Sequence, residues 1–148
     1  MTTETPEHLK CQVRDYWDAE SCGEIYAMGD EPGSRMAALR RARYDLEPYI
    51  PEFAGFEDGA GRDVLEIGVG MGCDHLRWAE SGPRSLTGVD LTDRAIEFTR
   101  DHLALQGLSS DLRQADAEHL PFDDASFDLV YSWGVLHHSP NTPRAIDE

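Results

Sequence analysis

The sequence predicts an α/β fold, a parallel sheet covered by helices. Three observations carry this expectation. From Arg62 onward, short apolar runs alternate with stretches of helical periodicity. The runs are apolar on both faces, the pattern of strands buried between layers rather than wetted on one side. The first run ends in a cluster of glycines, Gly68, Gly70 and Gly72, directly before a helical stretch.

The elements follow in order. Residues 1 to 8 are polar and read as a frayed end. Residues 9 to 20, LKCQVRDYWDAE, read as a short helix with Leu9, Val13, Tyr16 and Trp17 on one side. A Gly/Pro-rich loop follows. Ser34 is then the expected N-cap of a helix in which Met36, Leu39, the stem of Arg43 and Leu46 recur at helical spacing. Pro48 and Pro51 close it. The turn-rich AGFEDGAG leads onward, so the chain divides into an N-terminal helical extension at 1–61 and a core at 62–148. In the core, DVLEIG is a strand, CDHLRWAESG a helix ending at Gly82, and SLTGVDL a second strand. Thr92 caps the helix DRAIEFTRDHLALQG, which ends at Gly107. SSDLRQAD holds a short strand, FDLVYSWGVL a longer one, and Thr142 and Pro143 open a last helix as N-cap and N1. The fourth strand is apolar enough to be central, and a central strand needs a neighbour on each side. No further run supplies the second neighbour, so the sheet is expected to be incomplete. The alternative is an edge position covered by the N-terminal helices.

Composition bounds the function classes. With 148 residues, 40% hydrophobic and 28% charged, the chain can build one soluble core. No apolar run is long enough for a membrane span. MTTETPEHLK lacks the regions of a signal peptide, so a cytoplasmic location is the default. A net charge of −16 repels phosphate backbones, which argues against nucleic acid and anionic membranes as partners. The basic residues are nearly all arginine, Lys10 being the only lysine. Cys11, Cys22 and Cys73 form no C-x-x-C pair, and the histidines show no H-x-x-x-H spacing, so no disulfide framework or metal site is expected.

The glycine loop carries the chemistry. A tight strand-to-helix turn needs positive φ or close backbone approach, and glycine supplies both. The following helix N-terminus offers free N–H groups beside the carboxyl end of the first strand. Gly68-Val69-Gly70-Met71-Gly72-Cys73 departs from the G-x-G-x-x-G pyrophosphate pattern. Glu66, at the strand end, would repel a pyrophosphate and suit a cation. Asp90 closes the second strand twenty residues after Gly70, where an acid accepts from both ribose hydroxyls. A ligand with a ribose, a positive amino-acid head and no phosphate fits these groups.

VLEIGVGMG resembles motif I of the class I S-adenosylmethionine-dependent methyltransferases. GVDLT resembles their ribose-binding strand. ADAEHLPFDDASFDLVYSWGVLHHSP resembles the later motifs of the ubiquinone/menaquinone-type and related small-molecule methyltransferases. The resemblance covers residues 62–148 with three motifs in order. It implies a Rossmann-like three-layer αβα sandwich with a mainly parallel sheet, of which this chain supplies the first four strands of a seven-stranded core, preceded by N-terminal helices. The cofactor it implies is S-adenosyl-L-methionine.

The resemblance also implies roles. Glu66 and the loop of Gly68, Gly70 and Gly72 would surround the methionine part. Asp90 would bind the ribose hydroxyls. Asp116 and Ala117 would meet the adenine, and Leu91 could pack on its face. Ser132, with Trp133 and Gly134, would lie near the reacting methyl. His137 or His138 has the right pKa to take a proton from an acceptor, although a loop-stabilising role competes with that reading. Each assignment has a plainer counterpart: a structural turn for the glycines, a helix cap for Asp90, an Asx-turn for Asp116. Catalysis would rest on positioning and water exclusion, with at most one general base. The acceptor is expected to be a small molecule. An inactive cofactor-binding protein and an NAD(P)-dependent oxidoreductase are the other readings. The residues say nothing of oligomeric state.

Overall fold

The computed structural model describes residues 5–148; the first four residues of the segment read as frayed lie outside the described residues. The elements are α1 (Pro6–Ala19), α2 (Pro32–Leu46), α3 (Ile50–Ala54), β1 (Asp63–Ile67), α4 (Cys73–Glu80), β2 (Ser85–Asp90), α5 (Asp93–Leu105), β3 (Asp111–Gln114), β4 (Leu129–Tyr131) and α6 (Thr142–Asp147).

All strand pairs are parallel and the order is β3-β2-β1-β4. Successive strands step from β1 outward to β3, and the chain then crosses back to place β4 on the other side of β1. Strand order therefore reverses at β1, and open α/β sheets bind ligands outside the carboxyl ends at such a switch point. On one face α2, α4 and α5 pack together through Met36, Leu39, Leu76 and Leu103. Beneath β1, Trp78 meets Phe56 and Tyr131 at ring-centroid distances of 4.8 and 5.5 Å. The opposite face, Leu65, Ile67 and Val89, is covered by residues between Ala115 and Phe127 together with Leu136.

Several boundaries differ from expectation. α1 starts at Pro6, because Thr5 Oγ1 accepts from the His8 N–H and proline suits the first helical position. α1 buries no residue fully, and Tyr16 is exposed. α2 starts at Pro32, not at Ser34; Ser34 sits one turn in, and its hydroxyl accepts from the Glu31 N–H. α2 stops at Leu46 because the residue before Pro48 is pushed out of the helical region, and Ile50–Ala54 re-forms a separate turn. At α6 the cap is Asn141 rather than Thr142, with Oδ1 accepting from the Arg144 N–H.

The fourth strand needs the larger correction. Only Leu129–Tyr131 is extended, and it has one neighbour, β1. Its other side is unpaired among the described residues, as the incomplete sheet led one to expect, and Val130 is 58% exposed. The alternative expectation is met in part: Trp133, just past β4, packs on Tyr49 and on Phe53 of α3 at 5.7 and 5.0 Å.

Candidate cofactor site

β1 and β2 end side by side, and the turns that leave them shape the site. Gly68, Gly70 and Gly72 all have positive φ. At Gly68 the reason is also steric, since a Cβ there would lie 2.2 Å from Val135 Cγ2. At Gly72 it would lie 3.0 Å from the Thr99 backbone, so this glycine lets α4 approach α5. A Cβ on Gly70 would meet nothing within 4 Å, so there the backbone faces open space and only its φ of +52° calls for glycine.

That space belongs to a cavity of about 450 Å³ at the carboxyl ends of the strands, within the range of small-molecule sites. Its wall includes Glu66, Gly68, Gly70, Asp90, Leu91, Asp116, Ala117 and His138. Gly72, Ser132 and His137 lie outside the wall. Ser132 donates from Oγ to the Ile67 carbonyl at 3.0 Å and so clasps the end of β4 to β1. His137 stacks on His138 at 3.9 Å, and both rings are exposed. Burial and the neighbouring His137 hold His138 below its ordinary pKa.

The three acids sit in different surroundings. Asp90 Oδ2 accepts from the Gly70 N–H at 3.0 Å, and Oδ1 accepts from the Thr92 N–H and hydroxyl, each at 3.0 Å. It therefore holds the glycine loop and the start of α5 while lining the cavity. Burial raises its pKa against those hydrogen bonds. Asp116 makes an Asx-turn to the Glu118 N–H at 2.9 Å and accepts from Lys10 Nζ at 2.6 Å. Glu66 is 3% exposed, and its Oε2 lies 2.9 Å from His75 Nδ1. Oε1 takes no hydrogen bond among the described residues, and no cation pairs with the carboxyl. Burial first, then Asp74, pushes its pKa well above the ordinary value.

Sequence reasoning missed several residues here. Lys10 bridges Asp116 and Glu118, with Nζ 2.6 Å from each carboxylate, and so fastens α1 over the cavity. The signal was present: Lys10 shares a helix face with Val13 and Trp17 at spacings of three and seven, and all three line the cavity. Glu118 is buried and also accepts from the Asn141 N–H at 2.9 Å and from Ser139 Oγ. Asp74, in the first turn of α4, accepts from Arg43 Nη2 at 2.7 Å, Tyr131 Oη at 2.9 Å and Tyr44 Oη at 3.0 Å. Burial raises both tyrosine pKa values, and pushes the neighbouring Cys73 thiol up to about 12. Arg43 brings a cation from α2 to the cavity wall. His75 is fully buried and held down to about 3, so its ring is neutral.

The model of the methyltransferase domain matches residues 65–148. Relatives include a probable phthiotriol/phenolphthiotriol dimycocerosates methyltransferase of Mycobacterium ulcerans, 40% identical over 62% of this chain and 35% of the relative. Another is the erythromycin 3''-O-methyltransferase of Saccharopolyspora erythraea, 31% identical over 72% of this chain and 35% of the relative. Magnesium protoporphyrin IX methyltransferase from Synechocystis, solved with S-adenosylmethionine bound, shares the fold at a TM-score of 0.68 and 17% identity, over 99% of this chain and 71% of that one. A cyclase shares it at a TM-score of 0.68 and 24% identity, over 93% of this chain and 53% of that one. The chain belongs to the class I S-adenosylmethionine-dependent methyltransferase family, with its Rossmann-like fold. It spans about a third of the length of the curated relatives it matches.

The cavity fits that cofactor. Glu66, whose Oε1 takes no hydrogen bond among the described residues, could meet a positive head, the bare backbone at Gly70 lets a ligand approach, Asp90 at the end of β2 could meet a ribose, and the apolar Leu91 and Ala117 beside Asp116 could meet adenine. Each carboxylate oxygen has two acceptor sites, so Asp90 and Asp116 can accept further donors. Among the described residues no helix is long and apolar enough to cross a membrane.

Proposed function

We propose that this chain forms the cofactor-binding part of a methyltransferase that acts on a small-molecule acceptor. One observation carries the reading: Glu66, Gly70 and Asp90 meet in one cavity at the carboxyl ends of two adjacent parallel strands. S-adenosylmethionine, when bound, supplies a methyl group already activated by the positive sulfur. The chain's residues then have little covalent work to do. Glu66 holds the cationic end. Asp90 holds the ribose and, through the Gly70 N–H, keeps the loop in shape. Asp116 accepts from the adenine amino group. α1, fastened by Lys10, excludes water from above. The acceptors for which these relatives are named are natural products, which supports a small-molecule acceptor here. Positioning and water exclusion provide the rate acceleration. Of the two histidines, His138 is the candidate to take a proton, because it lines the cavity and His137 does not.

The test is an affinity comparison followed by a transfer assay. S-adenosylhomocysteine should bind the wild-type chain and bind Asp90→Ala about tenfold or more weakly, the loss of hydrogen bonds to a charged group. Equal affinities would remove Asp90 from the site. Labelled methyl transfer from S-adenosylmethionine to hydroxylated small molecules then separates a transferase from a chain that binds the cofactor and transfers nothing.

A further inference from the structure

Behind the cavity wall lies a buried polar chain. Glu66 Oε2 is 2.9 Å from His75 Nδ1, and His75 Nε2 is 2.8 Å from Ser110 Oγ. Glu66 lines the cavity, whereas His75 and Ser110 do not. His75 has no exposed surface, while Ser110, one residue before β3, is only half-buried. β2 makes room for the ring: a Cβ on Gly88 would lie 2.6 Å from His75 Cε1. A line of hydrogen-bonding atoms thus runs from the cofactor cavity through the buried His75 to the partly exposed Ser110.

We propose that Glu66, His75 and Ser110 form a proton relay through which the cavity acid loses its proton to solvent when an ammonium-bearing ligand binds, with His75 as the positioning residue. The inference rests on the cofactor reading above. Without ligand, the Glu66 carboxylic acid donates to Nδ1, and Nε2–H donates to Ser110 Oγ. With ligand, the Glu66 carboxylate accepts from Nδ1–H, and Nε2 accepts from the Ser110 hydroxyl. In passing from one state to the other, the Glu66 proton goes to Nδ1, the Nε2 proton goes to Ser110 Oγ, and the serine's own proton goes to water. One proton leaves, the ring changes tautomer, and its charge is zero at both ends of the step.

The surroundings set the direction. From α4, Asp74 and Cys73 face this region; from α2, Arg43; from β2, Asp90; from β4, Tyr131. Burial, Asp74 and Asp90 disfavour a negative Glu66, and Arg43 favours it. Arg43 is already engaged by Asp74 and Glu47, so it does not reverse the balance. A ligand ammonium against Glu66 does. The relay lets the charge appear without admitting water to the site.

The experiment is titration calorimetry on the whole chain in two buffers of different ionisation enthalpy. The pH is set about two units above 4.3, where an ordinary glutamate is ionised. S-adenosylhomocysteine carries the amino-acid head; 5′-methylthioadenosine keeps the adenosine and thioether and lacks it. The first should release close to one proton and the second close to none. Glu66→Gln should bind S-adenosylhomocysteine more weakly and release nothing. His75→Gln keeps a donor to Glu66 but cannot exchange tautomers, so a pH-indicator stopped-flow trace should show release lagging binding by about tenfold or more. Ser110→Ala, which leaves the ring in place, should show the same lag if His75→Gln does not fold. Failure of the wild-type chain to bind S-adenosylhomocysteine would remove the cofactor reading and the relay with it. Binding without release, equal release with 5′-methylthioadenosine, or undiminished release from Glu66→Gln would overturn the relay alone.

Discussion

Gly68 shows how much one residue decides. Its φ of +82° and the 2.2 Å approach of Val135 to any Cβ leave no room for alanine. Gly68→Ala should cost more than about 1 kcal/mol in urea unfolding, because both strain and overpacking act on the folded state. Gly70→Ala meets no clash and should cost less, with its larger effect on cofactor affinity. A reversed order would contradict the assignment of Gly70 as the backbone that faces the ligand. Arg43→Met tests the polar core. It leaves Asp74 buried with only two tyrosine donors, and removing one partner of a buried pair costs about 3–5 kcal/mol. A much smaller loss would mean that water reaches Asp74. At this scale the sequence was readable wherever a residue's role is local. That Glu66, Gly68, Gly70 and Asp90 share one cavity wall was legible because strand end, turn and acid follow one another. His75 was not, because its partners, Glu66 and Ser110, are brought together only by the pairing of β1, β2 and β3.

The strongest elements were readable from periodicity, and their ends were not. β1, β2, α4 and α5 lie where the apolar pattern placed them, since both faces of the strands and one face of each helix are buried. Caps shifted by one to three residues because several polar residues compete for each N-terminus. Ser34 and Thr142 both lost to a residue before them. β4 was read too long, since an apolar run gives no sign of where pairing stops. α1 is the element to probe. It buries nothing fully, so its docking depends on Lys10 and on the partly buried Val13 and Trp17. Lys10→Met should speed hydrogen exchange across α1 while leaving β1 and β2 unchanged. Protection equal to wild type would mean that the apolar contacts alone suffice. The clamp also carries a pH signature. Burial would raise the Asp116 and Glu118 carboxyls and lower Lys10, but their mutual hydrogen bonds prevail, holding the acids below and the lysine above their ordinary values. The acids' contribution is present above their unfolded pKa and lost as pH falls through the depressed values. The lysine's is present below its unfolded pKa and lost as pH rises through the raised value. Exchange protection of α1 should therefore be greatest between about pH 4.3 and 10.4, and fall at both ends.

For the whole molecule, strand order explains why a ligand crevice was legible in the sequence. The sheet reverses at β1, so the first glycine turn and the end of β2 face the same crevice. The motifs lie close in sequence and their side chains close in space for one reason, the parallel pairing of β1 with β2. The acceptor was not readable, because the rest of the cavity wall comes from α1, α2 and the Trp133 region, where aromatic side chains pack on neighbouring rings and carry no mark of a ligand. The central claim, that this cavity binds S-adenosylmethionine, is tested most directly by a thermal melt of the chain alone, with S-adenosylhomocysteine and with NAD. At 100 times its Kd, S-adenosylhomocysteine should add about 2.7 kcal/mol, a rise in Tm of roughly 5–10 °C for a domain of this size, with no shift from NAD. A cooperative melt that S-adenosylhomocysteine leaves unmoved, or one that only NAD shifts, would contradict it.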